Sequence, residues 1–169
     1  ERHTEFTRYS IVQPLPHGTG LGSSEPELLD ALVTPPGWLR NIPGRTVAAI
    51  KMVMLQAELP AQNPEAQAVL MGLGQQWFGG HTLVASQLGG GHSWALTDFH
   101  LRPSGFERML VITPQDTSET RAGRISQRLF EIETYRLMAL RGLPVVKALA
   151  PVLAQAEAQL ASITAQLDN

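Results

Sequence analysis

Apolar and polar residues alternate from Glu5 to Val12, with Glu5, Thr7, Tyr9 and Ile11 on one side and Phe6, Arg8, Ser10 and Val12 on the other. That is the period of a strand, and Pro14 and Pro16 end it. RTVAAIKMVML, Arg45 to Leu55, is a β-branched apolar run and predicts a central strand. HTLVASQL and HSWALTDFHL flank Gly89-Gly90-Gly91, the pattern of a β-hairpin. FERMLVIT, after the turn Pro103-Ser104-Gly105, supplies a fifth strand. Between the strands, Ser24-Glu25-Pro26-Glu27 is a capping box that opens a short helix through Val33, and Pro35-Pro36-Gly37 stops it. Asn63-Pro64-Glu65 starts a second short helix through about Met71, and the stretch Asp116 to Glu119 can cap a long one. The expected fold is α+β: a mixed, mainly antiparallel sheet of about five strands with short helices, followed by a long C-terminal helical arm. Residues 1–116 form the sheet domain, and residues 117–169 form a long helix or helical hairpin that continues past Asn169.

The arm has a second periodicity. Ile125, Ile132, Ala139, Val146, Leu153, Leu160 and Leu167 recur every seven residues, and Tyr135, Leu149, Ala156 and Ile163 follow members of that series by three. This is the a/d seam of a helix-pairing surface, interrupted in its companion set by Arg128 and Gly142. Gly142, Pro144 and Pro151 are expected to kink or break the helix. Run straight from Ser118 to Asp168, it would reach roughly 75 Å at about 1.5 Å per residue. Broken at Gly142-Leu143-Pro144, it becomes two ordinary helices packed on the sheet. From Arg121 to Arg141 there are five Arg and two Glu. Arg128 with Glu131, and Glu133 with Arg136, are three apart and close enough to pair along the helix. Such pairs orient a helix toward a neighbour more than they stabilise it. The expected interface set is Ile132, Val146, Leu153, Leu160, Ile163 and Leu167, with Arg128, Glu131, Glu133 and Arg136 beside them.

Composition narrows the classes. A chain of 169 residues with 43% hydrophobic content supports one compact core and whatever the arm adds. A net charge of −2 gives no general attraction to nucleic acid or anionic lipid, and the arginine helix carries almost no interleaved aromatics, so a nucleic-acid partner is not expected. With no cysteine there are no disulfides and no thiolate metal sites. The charge-free stretch Tyr9 to Ser24 is rich in Gly and Pro, unlike a signal peptide or a membrane span. A start at Glu1 and a stop in mid-pattern at Asn169 suggest a piece of a longer protein.

For chemistry, Asp98 and His100 lie two apart and share a strand face, so both could reach one ion. His81 joins them or not according to the hairpin register. With a three-residue loop Leu88 faces His92 and His81 lands opposite Phe99; a two-residue turn shifts the register and sets His81 opposite Asp98 or His100. Three glycines favour the longer loop, and a rim of hydrogen-bonded polar groups at a sheet edge is the simpler expectation for these side chains. The loop His17-Gly18-Thr19-Gly20-Leu21-Gly22 lacks the lysine of a phosphate-binding loop and is expected to be a connection. Trp38, Trp77 and Trp94, with Phe78, either line a pocket or pack in the core and its rim. No nucleophile elbow, metalloprotease helix or spaced acidic pair is present, so no catalytic residue and no cofactor is expected.

ERHTEFTRYS, ALTDFHL followed by SGFERMLVI, and GRISQRLFEIETYRLMAL together resemble an uncharacterised bacterial family of membrane-anchored proteins carrying a domain of unknown function. The resemblance covers nearly all of the chain in order, and the helix motif is its most specific part. Complete members carry further helical sequence and C-terminal hydrophobic segments. The resemblance therefore implies a soluble, cytoplasmic middle portion of an inner-membrane protein, with the membrane reached through segments absent from this chain. It carries no catalytic residues. By analogy of fold alone, an α/β domain feeding a long helix is similar to magnesium channels of the CorA type. The expected function is non-catalytic: self-assembly as a homo-oligomer, or regulation of the membrane part, including ion passage. The alternatives are a metal-dependent enzyme or small-molecule-binding domain using the Asp98/His100 strand, and a plain partner-binding module.

Overall fold

The computed structural model describes residues 6–22, 34–58 and 64–167. It divides into two units: one comprises residues 1–44 and 49–124, the other residues 45–48 and 125–169. The expected helix from Ser24 to Val33 lies outside the described residues, as does the Asn63 cap.

The first unit holds a four-stranded sheet of β1 (Ile50–Gln56), β2 (Val84–Leu88), β3 (Ser93–Thr97) and β4 (Glu107–Thr113), in the order β1-β4-β3-β2. β1 runs parallel to β4, and the β3–β4 and β2–β3 pairs are antiparallel. The sheet is mixed and mainly antiparallel as expected, with four strands where five were expected. The missing one is the N-terminal segment, whose described part has a single isolated bridge at Thr7. Tyr9, Ile11 and Val12 are all exposed, so its alternating pattern has no buried face to fix it in a sheet.

Position in the sheet follows from apolar density. β4 is buried at every position except Arg108, and it is paired on both sides. β2, with exposed Val84, Ser86 and Gln87, forms one edge. The register aligns Val53 with Leu110 and Leu55 with Ile112, and Leu96 with Leu110, so these residues share one face. The helix α1 (Pro64–Phe78) adds Leu73, Trp77 and Phe78 to that face, closing the core cluster. It runs a further two turns past Met71, because Trp77 and Phe78 are two of its most buried residues.

The hairpin loop is longer than either expected form. Leu88 pairs with Ser93, leaving Gly89-Gly90-Gly91-His92 as the connection. All three glycines have positive φ, between 60° and 94°, a run that residues with a Cβ would not tolerate. This register sets His81 level with His100, not with Phe99.

α2 (Glu119–Leu167) is a single helix through Gly142, Pro144 and Pro151. It starts where Ser118 Oγ accepts the Arg121 amide at 3.3 Å and the Ser118 carbonyl accepts the Ala122 amide at 2.9 Å. In the second unit the Arg141 guanidinium donates to the Thr46 carbonyl, tying residues 45–48 to the helix. The break expected at Gly142-Leu143-Pro144 does not occur. A proline removes one helical hydrogen bond, here those to the carbonyls of Leu140 and Lys147, and both residues are exposed, where water can replace the donor.

Candidate functional site

Two places carry polar or apolar groups beyond what packing requires, one in each unit. The first lies past the end of β3. Thr97 Oγ1 donates to the Arg108 carbonyl at 2.9 Å and accepts the Phe99 amide at 3.2 Å. Phe99 then takes φ of +48°, a left-handed conformation that costs a non-glycine residue about 1–3 kcal/mol. The strand therefore ends at Thr97, and Asp98 and His100 stand on a turn, not on a strand as the sequence suggested.

That turn folds Asp98 inward. Its side chain is fully buried. Oδ1 accepts the His100 amide at 3.1 Å, and Oδ2 accepts Arg102 Nη2 at 2.6 Å. His81 Nδ1 lies 3.0 Å from the same Oδ2. Arg102 Nη1 lies 3.3 Å from the same Nδ1, so this ring nitrogen stands between the carboxylate and the guanidinium. The His81 ring packs on the His100 ring with centroids 4.4 Å apart. Arg102 also reaches the Phe78 carbonyl at 3.4 Å, and its backbone closes the turn onto Phe106.

Asp98, His100 and His81, the three metal-site candidates, do converge. They build an ion pair and not a ligand set. Both Asp98 oxygens already hold donors, and a guanidinium 2.6 Å away repels a cation. Among the described residues no group of three or more His, Asp or Glu is arranged to hold a metal. Arg102, which organises the cluster, was not singled out from the sequence; its spacing of four from Asp98 was the available signal.

Beside His81 is an open cleft of about 260 Å³ lined by Met71, Gly74, Gln75, Gly80, Thr82 and Leu83. No tryptophan lines it. Trp77 and Phe78 are core residues, Trp94 packs against the core, and Trp38 meets Tyr9 edge to face at 5.9 Å. The glycine loop after Pro16 is a turn in which Thr19 donates both its amide and its hydroxyl to the Pro16 carbonyl.

The second place is α2. Ile132, Tyr135, Val146, Leu149, Leu153, Leu160 and Ile163 are 52–66% exposed, and every residue from Ala139 to Gln166 is exposed. The Leu167 side chain lies outside the described residues. Leu143, Val145 and Val152 are exposed beside the seam and widen it, a broadening readable in the sequence as apolar residues next to the a and d series. The expected charged flank is only partly present. Arg136 Nε bonds both Glu133 oxygens at 2.8 and 3.0 Å, but Glu133 is 3% exposed, so this pair is not a solvent-facing flank. Among the described residues Glu131 accepts from Gln127 at 3.0 Å, not from Arg128.

The chain belongs to the family described as "Protein of unknown function (DUF3422)", whose family model matches residues 1–169. No curated protein and no solved structure matches it.

Proposed function

We propose that this member of the family is an assembly module in which α2 pairs with the helix of another copy. The observation that carries the reading is the unbroken exposure of a heptad seam from Ala139 to Gln166. Such a helix does not support itself. Each interior proline costs about 3 kcal/mol and the glycine about 1 kcal/mol against alanine, and every described side chain of this stretch is exposed. Covering Val146, Leu149, Leu153, Leu160 and Ile163, at about 1.5–3 kcal/mol for each fully buried side chain, is enough to offset that deficit.

A bilayer is the competing cover, because α2 is long and apolar enough by composition to cross one. Two features favour a helix instead. Arg141 and Lys147 would each cost about 2.5–3.5 kcal/mol at the centre of a span. The carbonyls opposite Pro144 and Pro151 need water or a polar partner, which lipid cannot supply. On the resemblance to membrane-anchored bacterial proteins, the assembly would serve a membrane part located elsewhere in a longer chain, with ion passage resting on the CorA-like analogy alone.

Light scattering on the purified chain across a concentration series tests the proposal. A mass that rises with concentration, and that falls to the monomer in Leu153→Glu or Leu160→Glu, is the expected result. A monomer at every concentration, or an oligomer indifferent to both substitutions, overturns it.

A further inference from the structure

Resting on that reading, we infer that the arms of two copies pair in antiparallel orientation about a centre at Pro151. The seam is uneven in size: Ala139, Gly142 and Ala156 interrupt a row of Val, Leu and Ile. In a parallel pair each layer meets its own kind. Glycine then faces glycine and alanine faces alanine, three underfilled layers in one short interface. Reversing one helix, with Leu149 against the partner's Leu153, changes every one of those layers. Val146 meets Ala156, Gly142 meets Leu160, and Ala139 meets Ile163, so each small residue receives a large one from the other copy. Leu153 and Leu149 then complete the middle of a two-fold interface in which both copies use the same surface.

The flanks agree with this register. Val152 lies beside its own symmetry mate. Val145 lies beside the stem of Gln159, and Leu143 beside that of Glu157, polar residues whose methylenes can cover apolar surface. Charge agrees as well. From Ala139 to Gln166 the only charged residues are Arg141, Lys147 and Glu157. The antiparallel register levels Glu157 of one copy with the stretch between Arg141 and Lys147 of the other. A parallel pair would set each charge level with its own sign.

The prolines fit the same surface. Pro144 and Pro151 are seven apart and lie half a turn away from the seam. Their rings, and the carbonyls they leave free, therefore face water on the outside of the pair. A helix bends away from a proline ring, so a bend at either proline would carry the seam toward the partner, the curvature a supercoiled pair requires. The five large seam residues from Val146 to Ile163 are each more than half exposed. With their mates and flanks they bury on the order of 1,000 Å², the size at which specific interfaces begin.

The chain has no cysteine, so single-cysteine variants report orientation without background. Ala139→Cys and Ile163→Cys alter exposed positions that the isolated fold does not depend on. The two variants are mixed, dissociated by dilution, reconcentrated and oxidised with copper–phenanthroline, alongside each variant alone. The inference expects a shift to the dimer mass only in the mixture, with a 139–163 disulfide found by peptide mass. Self-linkage of Ile163→Cys alone, with the oligomer intact by light scattering, overturns the antiparallel orientation and leaves assembly standing. A monomer by light scattering overturns assembly and orientation together, and flotation of that monomer with anionic lipid vesicles would assign the seam to a membrane.

Discussion

β4 and the distal half of α2 are both rich in Val, Leu and Ile, and they meet opposite fates. In β4 the apolar residues run without a break from Met109 to Ile112 and are buried on both faces, so Leu110, Val111 and Ile112 are fully buried. In α2 they repeat every seven residues, and those from Ala139 to Gln166 are all exposed. Composition does not separate the two regions; periodicity does. A short unbroken apolar run matches a strand buried on both faces, and a period of seven matches a helical neighbour.

That contrast can be broken by mutation, starting where the effect is largest. Leu110→Ala should lower the stability of the sheet unit by about 2–5 kcal/mol, read as a reduced urea midpoint in dilute protein. Leu153→Ala under the same dilute conditions should leave that midpoint unchanged, and it should weaken only the concentration-dependent assembly. An equal loss from both would show that the arm's seam is packed within one chain, and the comparison would collapse. Next in size is the polar counterpart in the sheet unit. Asp98→Ala leaves Arg102, only 13% exposed at its side chain, without its carboxylate. It should cost about 3 kcal/mol, as breaking a buried pair does. The conservative Asp98→Asn should recover part of that, and a near-neutral alanine variant would show the cluster to be peripheral. The smallest effect is expected at Phe99, which is 41% exposed at a φ of +48°. Phe99→Gly should stabilise by up to about 1 kcal/mol through relief of backbone strain. A destabilised glycine variant would mean that the ring contributes more packing than its exposure suggests.

The parts of the fold legible in the sequence are those where one physical signal dominates. The apolar runs around Val53 and Leu110 and the glycine-centred hairpin stand out because burial or turn geometry leaves few alternatives. The N-terminal alternation was misleading, since a period of two fixes a strand only where one face is buried, and Tyr9 and Val12 are not. The hairpin register was missed by one residue because three consecutive positive-φ glycines admit His92 into the loop. Helix continuity through Pro144 is not legible in the sequence, because propensity registers the lost hydrogen bond and not the solvent exposure of Leu140, whose carbonyl is freed. At the cluster near His81 the candidate residues were visible. Arg102, which converts them from a possible ligand set into an ion pair, was not, because its role depends on the left-handed turn at Phe99.

The proline pair in α2 has a consequence for how the protein behaves as it is diluted. Two residues that oppose helix formation sit in a segment exposed at every described position, so pairing of the arms as proposed would link order there to mass action. Far-ultraviolet ellipticity, and resistance of the Lys147 peptide bond to trypsin, should both decline on dilution while the sheet stays intact. The arm would then act as a gauge of local protomer abundance, rigid in company and frayed when alone.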